Sequence, residues 1–372
     1  MKIISDTQGA LYDDNSKFIV YKSVEKAFKS LKIDQIFNYS SLGGNEDFTK
    51  TAMQWILKEN SNYFNNKYDL KIITETGSGS CLNDVIYANN KYTTLIPDIA
   101  WHNYYSICKT CNCKSAEFKL LDNKYQFNIK SFKEAITNIL SKQDGIQIII
   151  NDPIQNPTGI SISKPIWKQI CKFLNAFKNK NINLIIDPAY IDYLNVPEKE
   201  SRQIFDCIKD LNSNINIFIC FSFSKTLAIY GTRIAALIVL SNNSTKLQES
   251  ILNNIKGKIF RTPTLGALIV TALFSNKTLL AQYKKELSGV KLMLKKRAEL
   301  FMTEANSCKL DYIPYTSGFF ITVPVNDPEK IISSMKEYSS VLRPQGKSLR
   351  VGICGMPLNT IKGIAKKIKS NI

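Results

Sequence analysis

Apolar residues along this chain fall into short, β-branched runs separated by longer amphipathic stretches. The runs lie at residues 70–74, 93–97, 117–121, 147–151, 183–187, 216–221 and 233–240, and their composition predicts buried β-strands. Between two of them, residues 163–178 place Ile166, Ile170, Leu174 and Phe177 on one side and lysines on the other, which predicts a helix. Ser163 stands where an N-cap belongs and Pro165 falls in the first turn. Residues 80–89 and 197–211 show similar amphipathic patterns. This alternation predicts an α/β fold, a sheet of mainly parallel strands covered by helices on both faces. Ligands of such sheets bind at the carboxyl ends of the strands.

The pattern changes after Ser275. A Lys-rich helix is predicted over 279–305, then a strand at 319–325, a helix at 328–337, a strand at 348–353 and a terminal helix. These elements predict a smaller α+β domain. The expected division is a large domain over 40–275, with a small one built from both chain ends, 1–39 and 276–372.

Composition agrees with a large folded protein. The chain has 372 residues, of which 44% are hydrophobic and 22% charged. A net charge of +18 raises the question of nucleic acid, but only six of the 49 basic residues are arginine. The lysines are scattered, with no basic stripe and no helix-turn-helix pattern, so a solvated Lys-rich surface is the better reading. The apolar run at 265–274 is too short to span a bilayer, and no signal-peptide core is evident at the N-terminus. Nine cysteines argue for a reducing compartment, expected to be the cytoplasm. Cys108, Cys111 and Cys113 lie near the only histidine, His102, yet no second cysteine pair follows at zinc-ribbon spacing, so no metal is expected. One histidine also leaves little room for a Ser-His-Asp or Cys-His pair, so base chemistry falls to Lys, Tyr, Asp or Glu.

Unusual polar residues follow the predicted strands. In F-S-F-S-K-T-L-A-I-Y-G-T-R, Lys225 ends a strand between hydroxyl residues, eight positions before Arg233. Desolvation or a neighbouring cation makes such a lysine a nucleophile, and an arginine fork suits phosphate. In N-L-I-I-D-P-A-Y, Asp187 ends another strand, where it can partner a pyridine nitrogen or cap the next helix. In N-D-P-I-Q-N-P-T-G, Asn156 sits in turn chemistry and can also donate to a phenolate. In T-E-T-G-S-G-S, a Gly/Ser turn enters a helix, as an ordinary turn or an anion cradle. Trp101, after a fourth strand, can stack on a flat ring or belong to the core.

Taken in order, the Gly/Ser cradle, Trp, N-P-T-G, D-x-A-Y and S-x-S-K with its distant Arg resemble class I aminotransferases of the aspartate and aromatic type. S-L-R-V-G-I-C-G-M-P near the C-terminus resembles that family's carboxylate-binding segment, and Y-S-S-L-G-G-N-E-D-F resembles its Y-x-G-x-x-G-x-x-x-F segment, with Ser41 replacing the first Gly. The resemblance implies pyridoxal phosphate as cofactor, its fold type I with a seven-stranded sheet, and ping-pong transfer of an amino group from an L-amino acid (aspartate, glutamate or aromatic) to a 2-oxo acid. It implies that Lys225 carries the cofactor as a Schiff base and moves the substrate proton. Asp187 would pair with the ring nitrogen, Tyr190 and Asn156 with the ring oxygen, and Trp101 would stack on the ring. Gly77, Ser78, Ser222 and Arg233 would bind the phosphate, joined by Tyr39 from the second subunit of a homodimer. Arg350 would grip the substrate carboxylate beside Gly9, with Trp101 and Asn156 also lining the substrate pocket. Where aspartate-specific relatives present a distal-carboxylate Arg, the matching stretch K-G-K-I-F-R-T-P-T-L-G puts Lys256, with Arg261 five residues later. A lyase on the same scaffold, or a non-catalytic cofactor-binding regulator, are the alternative readings.

Overall fold

A computed structural model describes residues 9–339 and 341–372 of the chain. Seven strands, β1 (Asp69–Glu75), β2 (Thr94–Pro97), β3 (Ser115–Phe118), β4 (Gly145–Ile150), β5 (Asn181–Ile186), β6 (Ile215–Ser222) and β7 (Ala235–Ser241), form one sheet in the order β1-β7-β6-β5-β4-β2-β3. All neighbours are parallel except β7, which runs antiparallel to both β1 and β6.

The strands are apolar on both faces because helices cover both. Ile148, Ile150, Leu184, Ile186, Ile217 and Ile219 point into one buried cluster. Their alternate neighbours Ile149, Ile185, Phe218 and Cys220 point into the other, against Leu82, Val85 and Ile86 of the helix Ser78–Ala88. Two faces, each lined by every second residue, are what parallel strands under helical cover require.

Predicted and observed strands agree closely in place. The main shift is β3, predicted at 117–121 and found at Ser115–Phe118. Leu120 leaves the ladder for the core, and its N–H is satisfied by Asp98 Oδ1 at 2.9 Å. The predicted helix at 163–178 forms over Lys164–Leu174 with Pro165 in its first turn, although Ser163 makes no side-chain cap bond. The stretch at 197–211 breaks into a 3₁₀ turn, Glu198–Arg202, and a helix, Gln203–Ile208. The break follows from Arg202 turning inward, where its guanidinium bonds the Trp55 and Ile56 carbonyls and Asp192.

The C-terminal part forms a second sheet of three antiparallel strands, β8 (Phe320–Pro324), β9 (Leu342–Pro344) and β10 (Ser348–Gly352), in the order β8-β10-β9. It packs with the long helix Lys277–Ser307. From that helix, buried Arg297 reaches Asp14, the Tyr12 carbonyl and the Ile353 and Cys354 carbonyls. This one guanidinium ties the N-terminal segment to the end of β10, which fixes residues 9–12 beside the carboxyl ends of the large sheet. Among the described residues no single helix is long and apolar enough to cross a membrane.

Candidate active site

A cavity of about 770 Å³ opens at the carboxyl ends of β2, β4, β5 and β6, roofed by β9 and β10. Lys225 enters it from a single helical turn, Phe223–Thr226, that follows β6 directly. Ser222 Oγ accepts the Ser224 N–H at 3.2 Å and starts the turn. The next residue anchors it: Thr226 Oγ1 donates to Asp192 Oδ2 at 2.7 Å, and Asp192 pairs with Arg202 at 2.7 Å. Burial opposes ionisation of Asp192, but the Arg202 guanidinium outweighs it and holds the carboxyl below its ordinary range. Lys225 Nζ donates to the Gly9 carbonyl at 2.9 Å and lies 4.7 Å from the centre of the Tyr230 ring.

Asp187 is 3% exposed. Tyr104 donates its hydroxyl to Asp187 Oδ2 at 2.7 Å, while Oδ1 is buried with no hydrogen-bond partner among the described residues. Burial pushes the carboxyl up to about 6, against a smaller downward effect of the Tyr104 hydrogen bond. An orphaned buried acceptor is costly and uncommon, and this one belongs to a residue that lines the cavity. It fits the protonated nitrogen of a pyridine ring. Asn156 Oδ1 accepts from Arg350 Nη1 at 3.3 Å, and the Asn156 N–H is held by Asn151 Oδ1 at 2.7 Å. Tyr190 is buried against Phe319 and Phe320, and burial pushes its phenol up.

The anion cradle forms where β1 hands over to the helix Ser78–Ala88. Gly77 has φ +109°, and a Cβ there would stand 2.4 Å from Arg233 Nη2. Arg233 does not begin the next strand as its sequence context predicts; it precedes β7 in a left-handed conformation, φ 52°, with Nη1 on the Tyr230 carbonyl at 3.1 Å. Helix amides, Ser78, Ser222 and the Arg233 fork thus converge, as a phosphate requires. Gly77→Ala is expected to displace Arg233 and weaken cofactor binding by about tenfold or more, because charged hydrogen bonds are each worth about 1.5–3 kcal/mol. Titration of cofactor-free protein measures this, and unchanged affinity would remove Gly77 from the cradle.

Nine residues singled out from sequence line this one cavity: Ser78, Trp101, Asn156, Asp187, Tyr190, Ser222, Lys225, Arg233 and Arg350. Gly9 and Gly77 adjoin it through their contacts with Lys225 and Arg233. Tyr39 is not brought to it; it is 82% exposed and lies edge-on to Phe260. Lys256 is exposed on the helix Ser244–Ile259 and is not among the residues lining the cavity. His102 opens onto the cavity, whereas Cys108, Cys111 and Cys113 are buried in the core. Sequence reasoning missed Tyr104, Ser224, Tyr230, Arg343 and Gln345. Tyr104 had one visible signal, its place three residues after Trp101 in an aromatic-rich stretch. Arg343 had another, its scarcity as an arginine seven positions before Arg350.

The family profile described as "Aminotransferase class I and II" matches residues 4–368. A mitochondrial aspartate aminotransferase of Dictyostelium discoideum is 23% identical over 370 residues, covering 96% of this chain and 84% of its own. Among solved structures, an aminotransferase from Anaerococcus prevotii superposes with a TM-score of 0.91 at 26% identity, covering 99% of this chain and 90% of the other. The cytoplasmic aspartate aminotransferase of Saccharomyces cerevisiae gives a TM-score of 0.85 at 19% identity, with coverages of 97% and 90%.

Proposed function

The chain belongs to the class I and II aminotransferases, which act through pyridoxal phosphate, and from that membership we propose how its own residues carry the transfer. The observation that bears most weight is that one cavity is lined by both Lys225 and Asp187, whose Oδ1 has no hydrogen-bond partner among the described residues. Asp187 would keep the proton on the ring nitrogen. Trp101 would cover the ring, Asn156 and Tyr190 would hold its oxygen, and Gly77, Ser78, Ser222 and Arg233 would hold the phosphate. Bound there, the cofactor supplies an electron-withdrawing ring that stabilises negative charge at the carbon losing its proton. Arg350 fixes the α-carboxylate of the substrate, which aims that carbon's hydrogen at Lys225. Lys225 would hold the cofactor and would move the substrate proton as base and acid.

The amino group passes from an amino acid to the enzyme and then to a 2-oxo acid, in two half-reactions. Aspartate is the proposed donor, in line with the names of the relatives, with glutamate as the other dicarboxylic candidate. The large and small domains divide at 39/40 and 275/276, so the cavity lies between them. Two chains form the working unit: Ile33, Phe37, Tyr39, Leu42, Ile259 and Phe260 are all exposed apolar residues, more than a lone subunit should leave in water. This face would deliver Tyr39 to the partner's phosphate. No disulfide joins the described cysteines, and all but Cys308 are buried, which favours a reducing, cytoplasmic setting.

The test is to give the yellow holoenzyme single amino acids without an acceptor and follow the cofactor absorbance. A dicarboxylic amino acid is expected to convert the cofactor to its amine form and leave the matching 2-oxo acid. If no amino acid does so, the transfer reading fails.

A further inference from the structure

Two carboxyl groups with no part in the reaction scheme meet in the core under the anion cradle. Glu75 ends β1 and Asp84 lies on the helix Ser78–Ala88, and they are 1% and 0% exposed. Strand alternation turns Glu75 to the same face as Ile73, the face this helix covers. Asp84 follows buried Cys81 at helical spacing, so it too points inward.

Hydrogen bonds account for half of each carboxyl. Asp84 Oδ1 accepts from Asn254 Nδ2 and Lys258 Nζ, both on the helix Ser244–Ile259. Glu75 Oε2 accepts the Thr76 N–H at 3.3 Å. The other two oxygens, Glu75 Oε1 and Asp84 Oδ2, are buried with no partner among the described residues. Both orphans are satisfied at once if one carboxyl keeps its proton and donates it to the other. Charge requires the same. Lys258 brings one positive charge to two carboxyls, and two carboxylates sharing a buried site cannot both ionise. Burial first, then the hydrogen bond to Asp84 and its charge, push the Glu75 carboxyl far above its ordinary range, against the pull of Lys258 and the Thr76 N–H. The thiols facing this spot add no charge, because burial pushes up Cys81, Cys220 of β6 and Cys111 after the helix Asn103–Thr110.

Glu75 stands at the entry to the cradle, two residues before Gly77. Thr76, whose N–H it holds, also bonds across the turn, from Oγ1 to Ser80 Oγ at 2.7 Å. A neutral acid here orients the turn without setting a negative charge beside a phosphate dianion. We propose that Glu75 is a neutral acid that shares its proton with Asp84 and, through Thr76, positions the Gly77–Ser78 turn for the phosphate. It is a positioning residue and touches no reacting atom. Its service to the phosphate rests on the cofactor reading above; the shared proton does not.

Infrared difference spectra of wild type against Glu75→Gln report the proton directly. They are taken with and without cofactor at about pH 8, where an ordinary carboxyl near about 4.3 is ionised. Wild type is expected to show a carboxylic-acid C=O band, sensitive to deuterium oxide, that Glu75→Gln lacks and that Asp84→Asn shifts or abolishes. Cofactor-free protein is then titrated with pyridoxal phosphate and with pyridoxal, which lacks the phosphate. Glu75→Gln keeps a neutral donor and acceptor in place and is expected to bind both within about twofold of wild type. Glu75→Leu is expected to weaken pyridoxal phosphate about tenfold and leave pyridoxal unchanged, because only the cradle is loosened. The proposal is overturned if wild type lacks the band, if Glu75→Gln retains it, if Asp84→Asn leaves it unmoved, or if Glu75→Leu weakens both ligands alike. Should Glu75→Leu fail to fold, the wild-type and Glu75→Gln spectra still decide. If wild type binds pyridoxal as well as pyridoxal phosphate, the phosphate reading of the cradle fails, while the band in cofactor-free protein still shows whether the proton is shared.

Discussion

Lys225→Ala is expected to lower kcat/KM for amino transfer by about 10⁴-fold or more, with the fold intact. The size follows from two losses at one atom, since Lys225 Nζ is proposed both to carry the cofactor and to move the substrate proton. The fold survives because the turn is held by other groups. Tyr193 donates to the Lys225 backbone carbonyl at 2.8 Å, Tyr283 donates to the Thr226 carbonyl at 2.8 Å, and the Thr226 hydroxyl stays on Asp192. A melting temperature close to wild type checks that point. Borohydride reduction followed by peptide mass analysis checks the covalent link: cofactor should appear on the peptide containing Lys225 in wild type and on none in the variant. Residual activity within about tenfold of wild type, or cofactor fixed to another lysine, would remove Lys225 from its assigned place.

The parts of this site that were legible in sequence are those that sit at strand ends. Asp187, Asn156 and Lys225 follow or close apolar runs, and a parallel sheet turns that one-dimensional position into a shared location, because its strand ends lie side by side. Boundaries moved by a residue or two, as at β3, with little effect on where the functional residues gather. Tyr104 was hidden because its hydroxyl meets Asp187 only once the segment after β2 folds across β4 onto the end of β5. Arg343 was hidden for a related reason. It reaches the cavity through its register with Arg350, and the turn between β9 and β10 carries no strong signal of that pairing. Tyr39 is the one residue assigned to the phosphate from sequence that the fold does not bring to the cavity.

Asp187→Asn is expected to make the cofactor-free protein more stable at neutral pH while lowering amino transfer by about 100-fold or more. The stability effect follows from burial, which raises the Asp187 carboxyl from 3.8 to about 6. A carboxyl raised on folding favours the folded state when protonated. Its contribution is full below the unfolded value and is lost as pH rises through about 6. At about 1.4 kcal/mol per pKa unit, the rise corresponds to about 3 kcal/mol withheld from the cofactor-free protein at neutral pH. The amide removes that charge and keeps an oxygen for the Tyr104 hydroxyl. Denaturant unfolding at pH 4.5 and pH 7.5 should therefore show the variant gaining more on wild type at the higher pH. Activity moves the other way, because a neutral amide cannot hold a proton on the ring nitrogen as a carboxylate does, and the electron-withdrawing power of the ring falls with it. The two effects share one cause. Wild type bears the cost of a buried charge with an open oxygen, Oδ1, and a cationic ring nitrogen offsets that cost when it binds there. A variant that unfolds with the pH dependence of wild type, or that keeps full activity, would show that Asp187 meets no cation in this cavity.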